Sequence, residues 1–269
     1  MTSTLKLGIV GKGFVGSAVA NGFDQNVEQF IVDPKYTDNK IADLIQFDPS
    51  VCFVCLPTPK QDSHMDVDVS YVREALTELD KNNYKGITVI KSTITPDHLT
   101  KMKKDFNLKL VYNPEFLTEA NSFNDFLNPS MQILGGKWRD CENIEKAYVK
   151  HSSVKTVPTF KTDIITASMI KYTINSWLAT KVTFFNELYE LFGASGTKVP
   201  WESFTEMLSQ DSRIGDTHMQ VPGTDGKFGY GGHCFPKDTE ALLYYSKLKK
   251  TELSVLKNAI KKNNTFRQK

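Results

Sequence analysis

Apolar residues in the first half of the chain fall into short dense runs separated by stretches with helical spacing. Leu5–Val10, Gln29–Val32, Val51–Leu56, Ile87–Ile90, Leu108–Tyr112 and Met131–Leu134 each read as a strand. Between them, Phe14–Phe23, Val69–Leu79, Pro96–Lys104 and Trp138–Lys150 repeat apolar positions three and four apart and read as helices. Strands and helices that alternate this way predict a mainly parallel sheet covered on both faces. Val154–Val157 is expected to be the last strand, so a first domain is expected over 1–160.

The remainder, 161–269, has no strand pattern and is expected to be all-helical. Asp163–Leu191 predicts one long helix, and Ile164, Ala167, Ile170, Ile174, Trp177, Leu178, Phe185 and Leu188 cover most of its circumference. Burial on nearly every side of so long a helix implies contact with the same helix of a second subunit, a homodimer. Pro200–Gln210, Pro236–Ser246 and Thr251–Arg267 complete the helices.

The first strand runs straight into Gly11-Lys12-Gly13-Phe14-Val15-Gly16, a helix follows, and the second strand ends at Asp33. Strand, G-x-G-x-x-G, helix, strand and an acid about twenty residues on is the context that a dinucleotide-binding turn needs. Glycines allow the tight turn, and the helix N-terminus receives the pyrophosphate. Asp33 accepts the ribose hydroxyls and repels a 2′-phosphate, which favours NAD. The fold class expected is therefore α/β: a Rossmann-type, mainly parallel sheet followed by a helical domain with one long helix. Ligands bind beyond the C-terminal ends of such strands, which places Pro57-Thr58-Pro59 and Lys91-Ser92-Thr93 toward the cofactor.

Composition changes little in this picture. The chain is 40% hydrophobic and 24% charged, with a formal charge of +2, which gives no reason to expect nucleic acid or an anionic membrane as partner. No apolar run approaches a membrane span, and Thr2-Ser3-Thr4 leads into a strand without a secretory pattern. The four cysteines form no framework of the kind found in small secreted proteins, so a cytoplasmic location is expected. Cys52-x-x-Cys55 lies on a strand, where residues three apart face opposite sides; two core cysteines are expected there, and no metal.

Chemistry concentrates in Phe228-Gly229-Tyr230-Gly231-Gly232-His233-Cys234-Phe235-Pro236-Lys237-Asp238. Glycines let backbone N–H groups approach a ligand, and a helix starting near Pro236 places the Cys234 thiol at its positive end beside Lys237, where a thiolate is favoured. The bland alternative is a glycine-rich turn with a buried cysteine. Asn113-Pro114-Glu115-Phe116-Leu117-Thr118-Glu119 sets two carboxylates beyond a strand end. They suit either a sugar and a water or simply a helix N-terminus that favours acids. Lys171 and Asn175 lie one turn apart among apolar residues. They read either as a catalytic pair or as a snorkelling lysine.

In order, these segments resemble the nucleotide-sugar 6-dehydrogenase family. The matching stretches are Gly11–Gly16 with Asp33, Pro57-Thr58-Pro59, Lys91-Ser92-Thr93, Asn113–Leu117, Lys171-x-x-x-Asn175 with Asn186-Glu187, Asp211-x-Arg213-Ile214-Gly215, and Gly229–Asp238. The resemblance implies a four-electron oxidation of a nucleotide sugar, UDP-glucose foremost, with NAD as cofactor. It implies Cys234 as nucleophile, Lys171 and Asn175 as oxyanion donors, and Thr93, Glu115 and Asp238 around a proton-accepting water. Phe14, Val15, Lys35, Ser92, Glu119 and Lys237 would join Gly11, Gly13, Gly16, Asp33, Pro57, Thr58 and Thr93 at the cofactor. Glu115, Phe116, Leu117, Arg213, Phe228 and Gly231 would contact substrate, with Arg213 reaching across the dimer. Family members continue into a second nucleotide-gripping domain, which is expected to be absent here. The alternatives are a two-electron hydroxyacid-type dehydrogenase and a non-catalytic NAD-binding subunit.

Overall fold

A computed structural model describes residues 4–61, 66–118 and 121–268. Residues 4–59 and 67–171 form one compact unit, and Lys60, Gln61 and Asp66 join residues 172–268 in a second.

In the first unit, strands β1 (Leu5–Val10), β2 (Val27–Val32), β3 (Val51–Val54), β4 (Ile87–Ile90), β5 (Lys109–Tyr112), β6 (Gln132–Gly136) and β7 (Thr159–Thr162) form one sheet in the order β2-β1-β3-β4-β5-β6-β7. All neighbours pair in parallel except β5 and β6. β3 and β4 are buried at every position, as continuous apolar runs covered on both faces should be. Helices α1 (Phe14–Gly22), α2 (Ile41–Phe47), α3 (Ser70–Lys81), α4 (Pro96–Asp105), α5 (Ser122–Leu127) and α6 (Trp138–His151) make the connections.

Three features differ from the expectation. The last strand is Thr159–Thr162, not Val154–Val157; it is an edge strand with Phe160 exposed, so it needs no apolar run. The valine stretch serves as a connector instead, its Lys155 N donating to Leu127 O. Helices α2 and α5 were not expected, because each buries a single residue, Leu44 or Phe126, and shows little periodicity.

One face of the sheet is held by an aromatic cluster. The Phe23 ring lies 5.3 Å from Phe53 and 4.9 Å from Tyr148. The Tyr148 hydroxyl donates to Asn113 Oδ1 at 2.8 Å, so its burial leaves no orphaned polar group.

The second unit is helical: most of α7 (Ile164–Ala194), then α8 (Trp201–Ser209), α9 (Cys234–Leu248) and α10 (Ser254–Arg267). Its apolar core is Phe185, Trp201, Met219 and Val221, backed by Leu188, Tyr189, Phe192 and Phe204. Trp201 is anchored by an Nε1–H bond to Met219 O at 3.1 Å. Among the described residues, no helix is long and apolar enough to cross a membrane.

Replacing Phe53 by Ala removes a fully buried ring of this cluster and is expected to cost about 3–5 kcal/mol, read as a lowered urea midpoint with an unchanged slope. Tyr71→Ala, at an exposed helix position, is expected to stay within about 0.5 kcal/mol.

Candidate active site

The strand order reverses between β1 and β3, and a crevice opens at such a switch point. The Gly11–Gly16 turn follows β1 there. Gly11 has φ +89°, and a Cβ on it would lie 2.7 Å from Cys55 O. A Cβ on Gly16 would lie 1.9 Å from Gly11 O, so the turn closes only with glycine at both ends. Gly13 has nothing within 4 Å of the same construction, and Phe14 beside it is exposed. The opening above the N-terminus of α1 is a cradle for a pyrophosphate. Val15 begins the buried side of α1, packed against the core cluster.

Asp33 sits immediately after β2. Its Oδ2 accepts from Lys12 N at 2.6 Å and its Oδ1 from Lys35 N at 2.9 Å, which fixes the carboxylate at the rim of the turn. The Thr58 hydroxyl donates to Thr93 O at 2.9 Å, and the Ser92 hydroxyl donates to Leu56 O at 2.6 Å. These two bonds tie the ends of β3 and β4 together, while Pro57 stays exposed. Glu119 lies outside the described residues. The glycine cradle, the free helix end and the fixed carboxylate together fit a dinucleotide.

A second group in the same unit surrounds Glu115. Lys171, 2% exposed, donates from Nζ to Glu115 O at 2.5 Å and to Glu115 Oε1 at 3.2 Å. Its ammonium also lies 5.3 Å from the centre of the Phe116 ring. Glu115 Oε2 accepts from Leu117 N at 2.6 Å, so both carboxylate oxygens are held. Glu115, Phe116 and Leu117 border a cavity of about 280 Å³.

The second unit carries the rest. Asn175 Nδ2 donates to Asp238 Oδ2 at 2.6 Å, and Lys237 Nζ reaches Asp238 Oδ1 at 2.6 Å. Asp238 is 1% exposed and is thus a buried carboxylate with a partner on each oxygen. Cys234 is the first residue of α9, two residues earlier than the sequence pattern indicates, and its side chain is half-buried. Gly231 and Gly232 border a cleft of about 300 Å³ together with Pro236 and Arg267. Phe228 lines an aromatic pocket with Tyr189 and Trp201. Arg213 is exposed and pairs with Asp211 Oδ2 at 2.5 Å.

Several polar residues hold the site in ways that the sequence does not reveal, Lys91, Asn113 and Asn186 within named motifs and Asn263 outside any. Lys91, 3% exposed, donates to Asn113 Oδ1 at 3.0 Å and sits near Phe126, and burial pushes its pKa down to about 8. Asn113 is fully buried and also donates to Ile133 O at 2.8 Å. Asn186 and Asn263 bind the backbone of the Gly229–Tyr230 loop. Lys91 lies inside a motif that drew notice for its neighbours, whereas nothing in the local pattern around Asn263 marks it out.

Residues 37–152 match the NAD binding domain of the UDP-glucose/GDP-mannose dehydrogenase family, and residues 165–265 match its central domain. The chain belongs to the UDP-glucose/GDP-mannose dehydrogenase family. The first match makes NAD the cofactor that the glycine cradle fits. A UDP-glucose 6-dehydrogenase of Rickettsia felis is 31% identical over 217 residues, which cover 78% of this chain and 47% of that protein. The chain spans about half the length of such curated relatives. Two solved structures share the fold. A UDP-glucose dehydrogenase from Pyrobaculum islandicum superposes with a TM-score of 0.81 at 23% identity, covering 98% of this chain and 69% of that one. A 3-hydroxyisobutyrate dehydrogenase from Mycobacterium tuberculosis gives 0.73 at 14% identity, covering 98% and 94%.

Of the four thiols, Cys52, Cys55 and Cys141 are buried while Cys234 is accessible. Burial pushes Cys55 up to about 12 and Cys141 up to about 11, so neither ionises near neutrality. Iodoacetamide at pH 7.5 is expected to label one thiol per native chain, at Cys234 by peptide mapping, and the other three only after unfolding.

Proposed function

We propose that this protein oxidises C6 of a nucleotide sugar twice, from alcohol to carboxylate, with UDP-glucose as the first substrate to test. The observation that carries this reading is Cys234 as the first residue of a fifteen-residue helix, directly after a glycine-rich loop and one turn before Asp238 of the buried Asn175–Asp238 pair. A thiol at a helix N-terminus has its anion favoured.

NAD, when bound over the Gly11–Gly16 turn with its ribose toward Asp33, supplies the hydride acceptor for both oxidations. Phe14, Lys35, Thr58, Ser92 and Lys237 complete its surroundings in this reading. The chain's own residues handle the protons and the carbon. In the first oxidation a water oriented by Thr93, Glu115 and Asp238 takes the hydroxyl proton as C6 becomes an aldehyde. The Cys234 thiolate then adds to the aldehyde carbon and forms a thiohemiacetal.

Lys171 and Asn175 stabilise the oxyanion formed in that addition. An ammonium has three N–H bonds and an amide NH₂ two; Lys171 directs its bonds at Glu115, and Asn175 directs one at Asp238. Each retains a donor for substrate. Loss of a second hydride leaves a thioester, which water activated by Asp238 or Glu115 hydrolyses, releasing the uronate and restoring the thiol. Phe116, Leu117, Phe228, Gly231 and Arg213 are assigned to the sugar nucleotide.

We read the functional form as a homodimer through α7. Trp177, Phe184 and Leu191 recur every seven residues and are 63%, 57% and 66% exposed, an apolar stripe along one side of the helix. Such a stripe is the kind of surface that a second helix covers. A Trp177→Glu/Phe184→Glu double variant is expected to sediment as a monomer where the parent sediments as a dimer; identical sedimentation would refute the assignment.

Turnover is tested by counting NADH formed per UDP-glucose consumed, then per related sugar nucleotide, in excess NAD⁺. Two NADH per sugar are expected, with uronate formation lost in Cys234→Ser. One NADH per sugar would indicate a two-electron dehydrogenase on this fold. Saturable NAD binding with no turnover on any sugar would indicate a binding subunit.

A further inference from the structure

The Cys234 loop is gripped from behind by two asparagines that no part of the proposed chemistry uses. Asn263, in the middle of α10 and 3% exposed, engages both backbone groups of Tyr230. Its Oδ1 accepts from Tyr230 N at 2.7 Å, and its Nδ2 donates to Tyr230 O at 3.1 Å. Asn186, on α7 and 1% exposed, accepts from Gly229 N at 2.9 Å while its own Nδ2 donates to Val182 O at 2.8 Å. Two consecutive loop residues are therefore fixed by side chains from two different helices.

The loop is shaped to this grip. Gly229 has φ +73°, and a Cβ there would lie 2.4 Å from Asn263 Oδ1 and 3.2 Å from Phe266 Cβ. Beyond Gly229, Arg267 of α10 pairs with Asp225 at 2.7 Å. Tyr230 carries the constraint forward. Its ring lies 6.1 Å from Phe235, the residue after the thiol, and its hydroxyl is 3.5 Å from Thr239 Oγ1 one turn further along α9. Cys234 thus sits between a backbone pinned on one side and a ring packed on the other. By contrast, nothing lies within 4 Å of a Cβ on Gly232, so the span beside the thiol has room to shift if the pin is lost.

We infer that Asn263 and Asn186 are positioning residues that hold the Gly229–Tyr230 backbone and thereby place the Cys234 thiol at the start of α9. A side chain that satisfies an N–H and a C=O of the same residue fixes that peptide in direction as well as place. Thiolate stabilisation at a helix end falls off within a single turn, so it depends on that placement. The catalytic consequence rests on the proposed function, but the effect on the thiol does not.

The test therefore reads the thiol first, without sugar. Asn263→Ala and Gly229→Ala break the grip from its two sides. Each is expected to slow alkylation of Cys234 by iodoacetamide at pH 7.5 by about ten-fold, with the fold intact by circular dichroism. The double variant is expected to be no slower than either single one, as for two changes that remove one contact. With UDP-glucose, kcat for uronate formation is expected to fall by a similar factor while the affinity for NAD, set mainly at the Gly11–Gly16 turn and Asp33, stays unchanged. Should Asn263→Ala not fold, Asn186→Ala removes the Gly229 acceptor, together with its bond to Val182 O, and leaves Tyr230 held; it is expected to slow alkylation in the same sense.

Folded variants that alkylate at the parental rate would overturn the inference, as would single effects that simply add. If the parent oxidises no sugar but the variants lose thiol reactivity, the proposed function fails and the clamp stands.

Discussion

An ammonium taken out of water costs several kcal/mol unless oxygen atoms meet it inside the protein. Lys171 is almost completely buried and meets that requirement twice over on one residue, through the carbonyl and the carboxylate of Glu115. One turn along the same helix, Asn175 meets the buried carboxylate of Asp238, whose other oxygen is taken by Lys237. The helix α7 thus carries two polar groups on successive turns, each matched to an acid of its own compact unit. Removing either acid would strand a buried donor, so the side chains assigned to chemistry are also structural ties.

The nucleotide end of the molecule rests on a steric constraint instead. Gly11 and Gly16 leave no room for a Cβ, because each faces a backbone carbonyl at less than van der Waals distance from it. The bonds from Lys12 and Lys35 to Asp33 then fix the acid at the rim of that turn. The hydroxyls of Thr58 and Ser92 lock adjacent strand ends. Most of the polar groups here bind one another, which leaves the cradle over Gly13 as the open feature. That geometry is preorganised for a ligand's phosphates.

How much of this is legible in the sequence depends on whether a feature is local. The buried strands β3 and β4 announce themselves because both their faces are covered and nearly every residue is apolar. The edge strand β7 gives no such signal, since none of its residues is fully buried and Thr159 to Thr162 are mostly polar. The apolar valines just before it therefore attract the assignment wrongly. The glycine turn, the acid after β2 and the Cys234 loop are each continuous in sequence, so their spacing carries their meaning. Lys91 and Asn263 owe their importance to partners far away in sequence, Asn113 and Tyr230; the motif around Lys91 points to its neighbours, and nothing around Asn263 distinguishes it from an ordinary helix residue.

The thiols show the same distinction in energetic form. Cys52 lies in β3 and Cys55 directly after it, where burial holds them protonated far above neutrality. They serve there as small apolar side chains. Cys234 differs from them in place, not in kind: it opens a helix, its side chain is half-exposed, and glycines precede it. A glycine-rich loop alone is too flexible to hold a nucleophile in register with a substrate. The clamp from α10 and α7 resolves that conflict, because it holds the loop at Gly229 and Tyr230 and leaves Gly232, with open space about it, to approach a ligand. Rigid behind and open in front, the loop suits the covalent step proposed for it, which needs a fixed nucleophile as well as the close backbone approach that only glycine allows.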